Sequence, residues 1–322
     1  MRFGAVKLLL AILCSIPALA QGASDFPSQA VKLIVGYAAG GSADVVARIF
    51  AQELSKELGQ TVVVENRGGA SGVVGAQAVI GAAPDGHILY FVASPTVTLT
   101  PAIQRVSFDP LSDFTPIAAL VNYVSVLMVN AESPYKTVGD IVEYAKKNPG
   151  SVTFGSSGVG SASHIAGEML AEMAGVQFTH VPYKGNAPAL TDLMAGRLTF
   201  VFDLTTTAMS NVQSGKLRAL AVTSSERNPS FPEVPTMVEA GFKDFTYAAW
   251  FGLLGPANMP ISMVNKLAEA TRKIANKKSF KDRMIQSGYI MTDETTDGLR
   301  ERMRQEGQMF KDLVARIHLA RK

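Results

Sequence analysis

The chain has 322 residues, 47% of them hydrophobic and 18% charged, with 30 basic residues against 27 acidic. This length allows one large domain or two of ordinary size, with a core that needs no covalent staple, and this composition excludes disorder over most of the chain. Cys14 is the only cysteine, which excludes an iron–sulfur cluster or a cysteine-built zinc site.

The N-terminus reads as an export leader. Arg2 and Lys7 give a basic start, residues 8–16 an apolar core, and Ala18, Leu19 and Ala20 a small-x-small cleavage site just after Pro17. The apolar run falls short of the roughly 20 residues of a spanning helix, so cleavage near Ala20 is expected rather than a retained anchor. Leu13 stands where lipidation of Cys14 would require a small residue. Loss of residues 1–20 takes Arg2, Lys7 and Cys14 with it and leaves a nearly neutral chain. The calculated pI of 8.9 therefore gives no argument for nucleic acid. A long, cysteine-free exported chain suits a bacterial periplasm.

Strand and helix patterns then alternate. Residues 31–35 read as a buried strand, followed by an apolar helical stripe at Val46, Ile49, Phe50, Leu54 and Leu58. Residues 61–65 form the next strand, Val73, Val74, Ala76, Val79 and Ile80 mark a helix, and residues 88–92 a third strand. This order predicts an α/β fold with a mostly parallel sheet and helices on both faces. Residues 101–116 read as loop and residues 124–129 as a crossing strand. A second series follows, with helices at 138–147, 162–174 and 187–195 and strands at 151–154, 178–181, 198–202 and 217–222. After a Pro-punctuated connector at 231–241 come a strand at 245–254 and amphipathic helices at 261–276, 277–287 and 296–320. The expected topology is two lobes, 26–123 with 249–322 and 124–248, joined by hinge crossings near Tyr123 and Thr246. One continuous α/β domain is the alternative.

Three loops leave the carboxyl ends of predicted strands, where open α/β sheets bind ligands. In the first, Tyr37, Ala38, Ala39, Gly40, Gly41 and Ser42 lie between a strand and a helix. Its glycines permit backbone angles that a Cβ forbids, Ser42 is placed to cap the helix, and the unpaired amides of the helix start would stabilise an anion. Asp44 lies four residues before Arg48 and is read as a structural ion pair. The second loop carries Ser156, Ser157, Gly158, Val159, Gly160 and Ser161, with His164 just inside the next helix. Its amides and hydroxyls could surround a carboxylate, and His164 either touches that ligand or caps the loop. The third holds Tyr183, Lys184, Gly185 and Asn186. Tyr183 can stack or donate a hydrogen bond, Lys184 either draws an anion or sits on the surface, and Asn186 caps a helix. Asp203, at a strand end, accepts a hydrogen bond from a ligand or from the protein's own loops.

Enzyme signals are weaker. No GxSxG elbow surrounds Ser156, Ser157 or Ser161. Ser161, His164 and Asp203 can be drawn as a hydrolytic set, but a helix start explains the first two equally well. Neither GxGxxG nor GxxxxGK[ST] occurs at these turns, and His87, His164, His180 and His318 lack metal-ligand spacing. No cofactor or metal is expected. The basic run from Lys266 to Arg283 is interleaved with Leu267, Ala268, Ile274, Phe280 and Met284, and reads as packed helices with a charged solvent face. Trp250 and Phe251 read as core between the lobes.

With these residues in view the chain resembles the Bug (Bordetella uptake gene) or TctC family, the periplasmic substrate-binding receptors of tripartite tricarboxylate transporters. The resemblance runs through residues 32–44 with Ala47 and Arg48, Val63 and residues 65–70, residues 83–87, residues 158–164, residues 181–185, residues 250–252, and Gly255 with Pro256. It implies a two-lobed fold like that of type II periplasmic binding proteins, each lobe a mostly parallel sheet flanked by helices. It also implies a small organic carboxylate as ligand, held through the backbone amides of residues 37–42 and 156–161, with Tyr183, Lys184 and Asp203 on the second-lobe side. Inner-membrane permease subunits are the implied partners, with no nucleic acid and a monomeric receptor. Ala39 stands where the family often has proline, so the first turn should be less rigid. Two other readings stay open: a periplasmic serine-type hydrolase working through Ser161 and His164, and a soluble ligand-sensing protein.

Overall fold

The computed structural model describes residues 26–183, 186–245 and 247–316. The leader, Lys184, Gly185 and Thr246 lie outside the described residues, as do residues 317–322. The chain begins with β1 (Val31–Val35), α1 (Ser42–Leu58), β2 (Val62–Asn66), α2 (Val73–Ile80) and β3 (Ile88–Ala93). Two single-turn helices, α3 (Pro95–Thr98) and α4 (Thr100–Ile103), lead into a long strand, β4 (Phe114–Asn130). Next come α5 (Val138–Lys147), β5 (Thr153–Ser156), α6 (Ala162–Ala174) and β6 (Thr179–Pro182), then α7 (Asn186–Met194), β7 (Phe200–Leu204), α8 (Thr205–Gln213) and β8 (Leu217–Val222). The last part is β9 (Ala248–Pro256), α9 (Ile261–Asn276), α10 (Lys278–Gln286), β10 (Ile290–Met291) and α11 (Thr296–Arg316).

Local chemistry accounts for these boundaries. Thr137 and Asp140 form a reciprocal capping box that starts α5. Gly59 and Gly175, both left-handed, stop α1 and α6. Along α9, Met263, Val264, Leu267, Ala270, Thr271 and Ile274 are buried at helical spacing, and the charges interleaved with them face solvent.

The fold is α/β, and its strands divide into two groups. β1 pairs in parallel with β2 and β3 in the first, and β5 pairs in parallel with β6 and β7 in the second. The sheets are mixed rather than mostly parallel. β9 runs antiparallel to β3 and β4, and β4 runs antiparallel to β7 and β8. The reason is topological: β4 carries the chain out of the first sheet and β9 carries it back, so the two must run in opposite directions.

β4 belongs to both sheets, its residues 114–124 pairing with β9 and residues 125–130 with β7 and β8. It starts ten positions before the crossing strand expected from sequence. Pro116 obscured the pattern; it is accommodated at an irregular register next to Ala118. At the changeover the Ser125 amide donates to Thr223 Oγ1 over 3.0 Å, and the Thr223 hydroxyl donates to the Tyr247 carbonyl over 2.6 Å.

α11 braces this junction. Arg302 pairs with Glu306 at 2.7 Å and Glu294 at 3.3 Å, and also donates to Asn122 and the Ala248 carbonyl. Glu306 in turn accepts from the Trp250 indole at 3.1 Å. Trp250 is fully buried within the first sheet's core, whereas Phe251, its neighbour, points to the opposite face and meets Tyr123 with ring centroids 4.5 Å apart. Of this pair expected between the lobes, only Phe251 reaches that position, because strand residues alternate faces.

Candidate functional site

The first turn, between β1 and α1, is built on close approach. A Cβ on Gly36 would stand 2.6 Å from Tyr90 Oη and 2.8 Å from the Gly72 backbone. Gly40 takes a left-handed φ of 81°. Gly41, not Ser42, is the N-cap, and no side chain caps the helix; Ser42 is its first helical residue. The turn is instead tied down by Asp44, which is buried. Its carboxylate accepts from the Gly40 amide at 2.9 Å, from Arg48 at 3.0 Å and from Asn66 Nδ2 at 2.9 Å. Burial works to raise the Asp44 carboxyl, but these bonds and the Arg48 charge outweigh it and hold it below the usual range. The Tyr37 hydroxyl lies 3.0 Å from Thr96 Oγ1, and burial pushes its phenol up.

The second turn, between β5 and α6, has a different anchor. Ser161 is a true N-cap, its hydroxyl accepting from the His164 amide at 3.3 Å. Ser163 Oγ accepts from the Ser157 amide at 3.0 Å and lies 3.1 Å from Ser161 Oγ. The His164 ring folds back under the turn, where Nδ1 accepts from the Gly160 amide at 3.0 Å. Ser156 is fully buried, its Oγ 2.6 Å from His180 Nε2 and 3.1 Å from the Gly158 amide.

Between the two turns lies a cleft of about 490 Å³. Tyr37, Ala38, Gly41, Ser42 and Ala43 line it on one side, and Ser157, Gly160, Ser161, Ala162 and Ser163 on the other. Tyr123, Phe202 and Phe251 add aromatic wall, and Asn186 and Asp203 close the second-lobe side. The first amides of a helix have no acceptor within it. In α1 these include Ser42 and Ala43, and in α6 Ala162 and Ser163, so all four residues belong to the cleft lining. Two helix starts thus converge on one space, an arrangement that favours negative charge. Among the described residues, Asp203 is the one acidic or basic side chain in that lining. It is buried and accepts from Asn186 Nδ2 and, at 2.6 Å, from Thr207 Oγ1. Burial raises its carboxyl above the usual range, against those bonds and one from the Leu204 amide.

Several residues expected at the ligand lie off the cleft. His164 is buried against Phe154 and His180, with its acceptor nitrogen committed to Gly160. The Tyr183 hydroxyl turns to Asp192 at 2.7 Å, and burial, then that carboxylate, push the phenol up to about 12. Ser156 faces inward, Val159 is 67% exposed, and Ala39, Gly40 and Gly158 shape their turns without lining the space. Lys184 lies outside the described residues. Asn186 is the first residue given for α7, and its side chain holds Asp203.

Sequence reading missed Ala43, Ala162 and Ser163, whose signal was their position in the first helical turn, and Tyr123, Ser125 and Phe202, which sit on crossing or switch-point strands. Ala93 ends β3, Pro95 and Thr100 open α3 and α4, and Ser71 lies in the turn before α2; nothing in the local sequence marks them. The drawn hydrolytic set does not assemble. The His164 ring nitrogens face Gly160 and, at 3.5 Å, Glu168, and Asp203 bonds Asn186 and Thr207 rather than a histidine. Ser156 and His180 are close, but Ser156 has no exposed surface for a substrate to reach.

The sequence pattern of the tripartite tricarboxylate transporter family receptor matches residues 46–317. The chain belongs to this family. As a Bug/TctC receptor it is a solute-binding protein and not an enzyme, and the family is periplasmic. The structure of the periplasmic binding protein BugD is 33% identical and superposes with a TM-score of 0.80, over 92% of this chain and 100% of BugD. A Rhodopseudomonas palustris protein solved with adipate is 29% identical, with a TM-score of 0.85 over 92% of this chain and 100% of that one. MatC from the same organism, solved with bound malate, is 31% identical, with a TM-score of 0.80 over 90% of this receptor and 100% of MatC. Each match spans nearly all of both chains, so the fold is shared over its whole length.

Proposed function

We propose that this receptor binds a small organic carboxylate in the cleft between its lobes and delivers it to the permease subunits of a tripartite tricarboxylate-type transporter. The observation that carries the reading is the meeting of two helix starts, at Ser42–Ala43 and Ala162–Ser163, on one cleft of about 490 Å³. Main-chain amides stabilise an anion without a countercharge, which fits a lining whose described residues include no Lys, Arg or His. The two relatives solved with adipate and malate support the ligand class. In this reading the lobes are residues 26–123 with 249–322 and residues 124–248, and they close about the crossings near Tyr123 and Thr246. The receptor works as a monomer after leader cleavage near Ala20.

Aromatic walls at Tyr123, Phe202 and Phe251 favour a ligand with an apolar body between its polar ends. Asp203 is an acceptor already held by Asn186 and Thr207, so it offers a ligand carboxylate no donor and disfavours a third one beside it. Isothermal calorimetry on the mature protein against acetate, malate, adipate, benzoate and citrate tests the proposal. Saturable binding of malate, adipate or benzoate, with citrate weaker, is expected. A folded protein that binds none of them overturns it.

A further inference from the structure

The two turns that face the cleft are fastened by chemically different groups, and the fastening of the second has a proton in it. Gly160 is a cleft residue, and its amide can only donate, so His164 Nδ1, 3.0 Å away, must be an unprotonated acceptor. The imidazole proton therefore sits on Nε2, which faces Glu168 Oε1 at 3.5 Å. A second proton has one place to go, which is Nδ1. Protonation there removes the acceptor and sets two N–H groups against each other in a buried site.

The neighbours of His164 push in opposite directions. His180 of β6 stacks on its ring with centroids 3.9 Å apart, so two positive charges cannot sit there cheaply. Burial, then His164, hold His180 itself down to about 4. Glu168, on the same helix, favours the cation. Phe154 of β5 lies over the ring, and Phe200 of β7 stacks beyond Phe154; neither carries charge. Asp203, the ionisable group of β7, is turned away to Asn186 and Thr207. His180 extends the device, because its Nε2 meets Ser156 Oγ, which holds the Gly158 amide of the same turn.

We infer that His164 is a positioning residue for the anion-binding turn of α6, and that its protonation loosens Gly160 and Ser161 and lowers affinity for carboxylate as the medium acidifies. This rests on the reading of the cleft as a carboxylate site. A neutral imidazole keeps the Gly160 amide bonded, and a proton on Nδ1 leaves that amide without its acceptor.

The test is a ¹⁵N NMR titration of the mature protein with exchange rates for the Gly160 amide, paired with adipate affinity. At about pH 7.5 the His164 ring should show the Nε2–H tautomer. Toward about pH 5, Gly160 protection and adipate affinity should each fall about tenfold, the size of one lost buried hydrogen bond. The Gly40 amide, held by Asp44, should stay protected and serves as the internal control. His164→Asn keeps an acceptor near the Nδ1 position without a titrating group. It should bind adipate within about threefold of the unmodified protein at about pH 7.5, and toward about pH 5 lose affinity only as far as the ligand's own carboxylates gain protons. His164→Leu should be about tenfold weaker than the unmodified protein at about pH 7.5. If His164→Leu fails to fold, His164→Asn still decides. A Gly160 amide equally protected at about pH 5 and 7.5 overturns the inference, as does a His164→Asn protein that titrates like the original. Failure of every carboxylate to bind would count against the receptor's proposed ligand, while the Gly160 resonance would still report on the histidine.

Discussion

The β1–α1 and β5–α6 turns do the same geometric job with unlike fastenings. In the first, a buried carboxylate, Asp44, gathers the Gly40 amide, Arg48 and Asn66. In the second, a cap hydroxyl and an imidazole hold the amides of His164 and Gly160. A carboxylate among three donors stays charged through the whole neutral range, whereas an imidazole accepts from an amide only while one of its nitrogens carries no proton. Similar loops, read as equivalent from their glycines, thus differ in what would undo them.

The comparison can be broken most forcefully at Asp44. Asp44→Ala leaves three donors without their acceptor and should cost about 2–3 kcal/mol in urea denaturation, with weaker carboxylate binding. Its carboxyl is held low, so its contribution is complete above the usual carboxylate range and disappears only as the pH falls through the depressed value. Between about pH 5 and 8 the loss on mutation should therefore be constant. Gly36→Ala comes next, at about 2 kcal/mol, because the added methyl meets the Gly72 backbone at 2.8 Å and backbone cannot swing aside. The smallest effect is expected at Ser161→Ala. Loss of that cap should cost about 1 kcal/mol, readable as a modest drop in thermal midpoint, and should leave the His164–Gly160 bond in place.

How much of this was legible in the sequence varies with the kind of signal. Helical stripes gave α5, α6 and α9 with their observed bounds, since each carries a cap or a sharp apolar period. In the sequence, residues 114–116 of β4 read as the end of a loop and residues 117–123 carry no assignment, because Pro116 interrupts an otherwise apolar run and the observed register shift accommodates it. α8 was missed: Thr205, Thr206 and Thr207 are poor helix formers, and tertiary packing overrides their preference. At the site, the glycine turns could be placed by sequence, but side-chain direction could not. His164 and Tyr183 are polar residues next to those turns, and each was free on paper to face the ligand. Their actual partners, Gly160 and Asp192, are local groups with nothing in the residue pattern to announce them.

β4 is one continuous strand of 17 residues shared by two sheets, and this limits how the molecule can change shape. Nothing slack joins the halves along that path. Any reorientation must be stored as extra twist and bend in a strand still bonded on both flanks, as in a leaf spring. Bending energy grows roughly with the square of the distortion, so such a spring permits small angles readily and large ones hardly at all. Its irregular registers at Pro116–Ala118, Ala119–Val121 and Leu127–Met128 are the places where the flexure would concentrate, since a bulge already carries excess coil.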